Sequence, residues 1–110
     1  MLIKSRIWIE NKGNVILGNG RISLLKKIIE TGSLSKASKE MKISYRKAWN
    51  LIDSINKSSN QPVVITSKGG NNGGGTVVTE YGEKMIQKFD ILKEQYQNFL
   101  KDQEYLFDEE

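Results

Sequence analysis

Neither cysteine nor histidine occurs in these 110 residues. Without cysteine there is no disulfide and no thiolate metal site. Without histidine the chain lacks the commonest general base and the commonest metal ligand. No acidic cluster stands at ligand spacing, and no phosphate-binding loop precedes a helix. A catalytic role therefore has no nucleophile or base to assign, so neither an enzyme nor a bound cofactor or metal is expected. No stretch approaches the roughly 20 apolar residues of a membrane span. Residues 1–10, interrupted by Lys4 and Arg6, lack the apolar centre of a signal peptide. The expected compartment is cytoplasmic.

What remains is a small globular chain, 37% hydrophobic and 27% charged, long enough for one domain with a modest core that dimerisation would enlarge. Its net charge of +4 is unevenly spread. Residues 1–79 hold 13 Lys/Arg against 4 Asp/Glu, whereas residues 80–110 hold 4 against 9. A basic body with an acidic tail points to a polyanionic partner for the body.

The periodicities divide the chain at the same place. Over residues 2–9, Ile3, Ser5, Ile7 and Ile9 alternate with Leu2, Lys4, Arg6 and Trp8, which predicts a strand. The turn Asn11-Lys12-Gly13-Asn14 returns it into Val15-Ile16-Leu17 as a hairpin. From Arg21, apolar Ile22, Leu24, Leu25, Ile28 and Ile29 follow a helical period, ended by Thr31-Gly32. A short second helix over 33–42, capped by Ser33 or Ser35, turns Ala37, Ser38 and Met41 inward. A third opens at Ser44, places Ala48, Leu51, Ile52 and Ile55 inside, and runs to about Lys57 before Ser58-Ser59-Asn60 and Pro62. Two β-branched runs, Val63-Val64-Ile65 and Thr76-Val77-Val78, predict a second hairpin. Thr79 caps a last, long helix.

Two short helices joined by a tight turn, followed by a hairpin, constitute a winged helix-turn-helix, in an α+β fold that is mainly helical. The expected organisation is a DNA-binding body over 1–79 and a dimerisation helix with an acidic tail over 80–110. A helix about 10–12 Å across fits the major groove of duplex DNA and leads with its first turn. The third helix presents Ser44, Tyr45, Arg46, Lys47 and Asn50 there. Arg46 suits a guanine edge, Asn50 an adenine edge and Lys47 a phosphate. Ser35 and Lys36, opening the second helix, suit the flanking backbone. In the plainer alternative Ser44 only caps and the two cations are solvated. Trp49 is read as packing inside, against the first hairpin or the last helix, with a base or sugar contact as the alternative.

The segment Ser67-Lys68-Gly69-Gly70-Asn71-Asn72-Gly73-Gly74-Gly75 leads into a strand with no Lys-Ser/Thr pair after it, which excludes a Walker-type phosphate cradle. It is either a plain flexible tip or a wing whose bare backbone approaches DNA, with Lys68 and the two asparagine amides in contact. In the last helix Met85, Phe89, Leu92, Tyr96, Phe99 and Leu106 form an a/d heptad seam, with Gln103 filling the gap. A helix of roughly 28 residues would run about 40 Å, longer than the body needs. The seam is accordingly expected to pair two chains.

Three segments resemble the N-terminal DNA-binding domain of the molybdate-responsive ModE regulators. They are Gly20 to Ile28, Thr31 to Ala37, and Ile43-Ser44-Tyr45-Arg46-Lys47-Ala48-Trp49. Lys68 to Gly75 and Val78-Thr79-Glu80-Tyr81-Gly82 are similar to that family's wing and the start of its dimerisation helix. The helix-turn-helix is similar, more loosely, to LysR-type regulators. The resemblance implies a homodimeric transcriptional regulator on a pseudo-palindromic double-stranded DNA site, with recognition contacts over Ser44 to Asn50 and wing contacts around Lys68 to Gly75. It also marks a departure. Full-length members carry C-terminal molybdate-binding domains, and a chain ending at Glu110 is expected to lack them. The competing expectation is a protein-interaction module on the same scaffold, binding a partner regulator rather than DNA. RNA fits less well, because the deep, narrow A-form groove excludes a helix.

Overall fold

The computed structural model describes residues 1–67 and 75–109. Strands β1 (Ile9–Asn11) and β2 (Asn14–Leu17) form an antiparallel hairpin, followed by helices α1 (Asn19–Thr31), α2 (Leu34–Glu40) and α3 (Tyr45–Ser58). Strands β3 (Val64–Thr66) and β4 (Thr76–Val78) form a second hairpin, and α4 (Glu80–Asp102) leads into a 3₁₀ turn over Glu104–Phe107. This is the winged helix-turn-helix of the α+β class that the periodicities predict.

The sequence chemistry sets the boundaries. Lys12 and Gly13 both take positive φ, 53° and 78°, as a two-residue hairpin turn with right-handed twist demands. Gly32 ends α1 at φ 68°, its N–H donating to the Ile28 carbonyl at 2.7 Å. Ser33, Ser44 and Thr79 cap α2, α3 and α4, their hydroxyl oxygens accepting from the N–H of Lys36, Lys47 and Gly82.

The link between α2 and α3 is a full Schellman closure. The Ile43 N–H donates to the Ser38 carbonyl at 3.0 Å and the Lys42 N–H to Lys39 at 3.1 Å. Lys42 sits at the left-handed position, φ 58°, where a Cβ is strained. Replacing it with glycine, Lys42→Gly, should stabilise the fold by about 0.5–1 kcal/mol once the greater freedom of the unfolded chain is set against the relieved strain. Urea titration of the two proteins checks this, and a destabilised variant would show that the Lys42 stem contributes packing that outweighs the strain.

One core joins the elements. Ile16 and Leu17 of the first hairpin, Leu24, Leu25 and Ile28 of α1, Leu34 and Ala37 of α2, and Ala48, Ile52 and Ile55 of α3 are buried together with Val63, Val64, Val78, Ile86 and Phe89. Lys27 bridges α1 to α2 through Glu40 at 3.7 Å, and Glu30, at 3.1 Å, is the main cause of its raised pKa. Lys26 joins α1 to Asp90 of α4 at 2.9 Å.

The structure departs from the sequence expectation at the two ends. Of the strand expected over 2–9 only Ile9 pairs, and the paired strand runs on to Asn11, because β2 is four residues long and offers no further partner. Residues upstream keep their alternation, with Ile3 and Ile7 half-buried between exposed neighbours, but run beside the outer half of α4. There the Ile3 N–H donates to Glu104 Oε2 at 3.0 Å and the Tyr96 hydroxyl to the Ser5 carbonyl. The last helix stops at Asp102, so Leu106 of the heptad seam lies in the 3₁₀ turn. The inner part of the seam also belongs to the body. Phe89 is 2% exposed within the core and Met85 packs on it, which removes the Phe89 side chain from any interchain contact. Leu92 and Phe99, one heptad apart on the outer half of the seam, are exposed.

Candidate nucleic-acid interface

The inward phase of α3 is fixed by Ala48, Ile52 and Ile55, all buried. At 3.6 residues per turn that choice turns Arg46 and Asn50 outward and sends Tyr45, Trp49 and Asn56 down one flank, toward the second hairpin. Lys47, Leu51 and Ser54 run down the other flank, toward α1. Ser44, Tyr45, Arg46, Lys47 and Asn50 are all exposed, and so are Ser35 and Lys36 at the start of α2. The seven helix residues expected at a DNA surface therefore lie on or beside the solvent face of the helix-turn-helix.

Ser44 does cap α3, its oxygen accepting the Lys47 N–H at 3.0 Å; its own hydroxyl proton stays available to an outside acceptor. Neither α2 nor α3 carries an acidic residue in its first turn. The nearest acids are engaged, Asp53 with Lys57 at 2.9 Å and Glu40 with Lys27. Among the described residues Lys36, Arg46 and Lys47 form no ion pair. The starts of both helices thus combine free N–H groups, the positive end of the helix dipole and uncompensated cations, an arrangement that attracts phosphate.

The second hairpin is held against this face by Asn56. Its Oδ1 accepts the N–H groups of Val63 and Val64 at 2.9 and 3.1 Å, and its Nδ2 donates to the Val64 carbonyl at 2.8 Å. The strands pair Val64 with Val78, Ile65 with Val77 and Thr66 with Thr76, and the Ser67 N–H continues the ladder to the Gly75 carbonyl at 2.9 Å. Between the hairpin base, the start of α2 and the α3 flank lies a cleft of about 340 Å³, lined among others by Ser35, Tyr45, Trp49, Ser67 and Gly75. Lys68, Gly69, Gly70, Asn71, Asn72, Gly73 and Gly74 of the expected wing lie outside the described residues.

Trp49 corrects the sequence reading. It is 44% exposed rather than packed inside, and it stands one turn after Tyr45, which is 55% exposed. The cause is the α3 phase: with Ala48 turned fully inward, its successor falls on the flank. Arg21 was not singled out in the sequence. It lines the cleft on the other flank with Arg46, Lys47 and Asn50, and its buried Nε has no hydrogen-bond partner among the described residues. Asn56 was also missed, since an asparagine late in a helix carries no sequence signal for a contact made seven residues on. Among the described residues no group of three His, Cys, Asp or Glu is placed to hold a metal ion, and no helix is long and apolar enough to cross a membrane.

No protein-family model matches the chain. Individual relatives do. The chain is 44% identical over 72 residues to the DNA-binding transcriptional dual regulator ModE of Escherichia coli K12, a match covering 66% of this chain and 28% of that protein. It is 34% identical over 96 residues to the molybdenum transport protein ModE of Azotobacter vinelandii, covering 87% of this chain and 36% of the relative. It is 36% identical over 77 residues to the molybdenum-pterin-binding protein MopB of Rhodobacter capsulatus, covering 70% and 28% respectively. The matches thus span roughly a third of the length of these relatives.

Proposed function

This chain belongs with the ModE transcriptional regulators over the segment it shares with them, and on that premise we propose that it is a transcriptional regulator that binds double-stranded DNA as a homodimer. The body over 1–79 is the DNA-binding part. The observation that carries this reading is the solvent face of α3, where Tyr45, Arg46, Lys47 and Asn50 are exposed behind a capped, acid-free first turn.

In this reading α3 enters the major groove. Arg46 pairs with a guanine edge, Asn50 with an adenine edge, and Lys47 with a phosphate. Ser35 and Lys36 take the backbone on the α2 side. The wing from Ser67 to Gly75 takes the adjoining backbone or minor groove. Residues 80–110 bring two bodies together through Leu92, Tyr96, Phe99 and Leu106, while the acidic tail keeps that part of the dimer away from the polyanion. A dimer sets two copies of α3 on two half-sites, so the operator is a pseudo-palindrome.

The test is fluorescence anisotropy with mixed-sequence duplex across a salt series, with light scattering on the same sample. Log affinity should fall linearly with log salt, and the scattering mass should be that of two chains. On an operator selected from random duplexes, Arg46→Ala should cost about 1–3 kcal/mol and relax the preference at one base pair. Equal weakening on every sequence would reassign Arg46 to phosphate. A monomer that binds no duplex at low salt would favour a protein-interaction module instead.

A further inference from the structure

We propose that Trp49, with Tyr45 beside it, is a specificity-determining residue that reads thymine by its C5-methyl group. The inference rests on the DNA-binding reading above and adds to it a base that neither Arg46 nor Asn50 is suited to recognise.

Three observations lead there. The first is exposure: 44% of Trp49 and 55% of Tyr45 meet solvent, on successive turns of one flank. A large aromatic gains nothing for the fold from that surface, and adjoining exposed aromatics mark an interaction site. The second is company. The pair shares a cleft of about 470 Å³ with Arg46 and Asn50, on a face whose cations have no ion-pair partner among the described residues. An apolar patch set inside a surface built for a polyanion must meet an apolar group of that polyanion, and in the major groove that group is the thymine methyl. The third is placement. The other side of the pair faces the cleft lined by Ser33, Ser35, Thr66 and Ser67, whose hydroxyls suit a phosphate strand. With the backbone seated there, the aromatic pair stands between backbone and base edges, which is where the C5-methyl lies.

Deoxyuridine lacks that methyl and keeps every hydrogen-bonding group of thymine, so it isolates the contact. The experiment measures anisotropy for the full chain and its Trp49→Ala and Trp49→Phe variants on a selected operator. Each thymine of the operator is replaced in turn by deoxyuridine. At the contacted thymine the wild type should lose about fourfold in affinity, the factor that corresponds to uncovering one methyl group. Trp49→Ala should bind the thymine operator at least tenfold more weakly and show no further loss on deoxyuridine, so the two changes are non-additive. Trp49→Phe should retain most of the methyl dependence. Because the indole is half exposed, circular dichroism should show Trp49→Ala folded. With Trp8→Phe as background, the Trp49 emission should change on operator binding.

Equal weakening by Trp49→Ala on thymine, deoxyuridine and random duplexes would make Trp49 a sugar-phosphate contact and overturn the proposal while leaving DNA binding intact. Unchanged affinity in Trp49→Ala would overturn it as well. If the wild type bound no duplex at any salt, both this inference and the function it rests on would fall.

Discussion

Asn56→Ala should cost about 2–4 kcal/mol of folding stability, the expected loss when buried backbone donors are left without an acceptor. Three hydrogen bonds vanish together, and the N–H groups they served belong to Val63 and Val64, which are 0% and 3% exposed. Water does not reach those amides without opening the junction of α3 and β3. The midpoint of thermal unfolding should fall by about 10 °C or more on that scale. The variant should also bind operator more weakly at temperatures where it is still folded, because the wing base is no longer fixed to the recognition helix. Unfolding curves that coincide with the wild type would mean that the Val63–Val64 backbone finds other partners.

Gly82→Ala should destabilise by about 1–3 kcal/mol through overpacking, although alanine is the better helix former by nearly 1 kcal/mol. A Cβ at this position would stand 2.6 Å from the Val63 carbonyl oxygen and 2.8 and 2.9 Å from methyls of Val78 and Val63. One of those three is backbone, which cannot rotate away. Relief requires the first turn of α4 to lift from the second hairpin, and with it the Thr79 cap that also donates to the Pro62 carbonyl at 2.7 Å. Denaturant titration decides between the two effects: a variant as stable as the wild type would show that α4 slides at little cost.

The elements with strong local chemistry were legible in the sequence. Ser44 and Thr79 cap their helices, Ser33 rather than Ser35 caps α2, and the Lys12-Gly13 turn closes the first hairpin. The exposed face of the helix-turn-helix followed from the same periodicity, because Ala48, Ile52 and Ile55 leave little choice of phase. What escaped depends on distance along the chain. Residues 2–8 alternate as a strand does, yet pairing needs a partner of matching length, and β2 does not supply it. The seam in α4 has one period but two environments. Phe89 lies over the core while Leu92, one turn on, has passed its edge, and spacing alone does not say where the body ends. Trp49 was misplaced for a different reason: size and hydrophobicity argued for burial, and helix phase overrode both. Asn56 and Gly82 act through contacts with Val63, a residue whose neighbours only the folded chain reveals.

The closing pair Ser67 and Gly75 has a consequence for how such a molecule can diverge. Below it everything is pinned: Asn56 holds the strand on one side, Gly82 admits the helix on the other, and Thr76 is tied by its N–H to the Gly32 carbonyl at 3.2 Å. Above it the chain enters and leaves at a fixed width, and the entropic cost of a longer loop rises only as the logarithm of its length. A longer connection between those two residues is therefore expected to cost the scaffold little stability. The two valines beneath the pair, Val63 and Val64, carry the opposite constraint: their backbone is held by Asn56, and the side chain and carbonyl of Val63 meet the first turn of α4, so a change there is felt by the whole body.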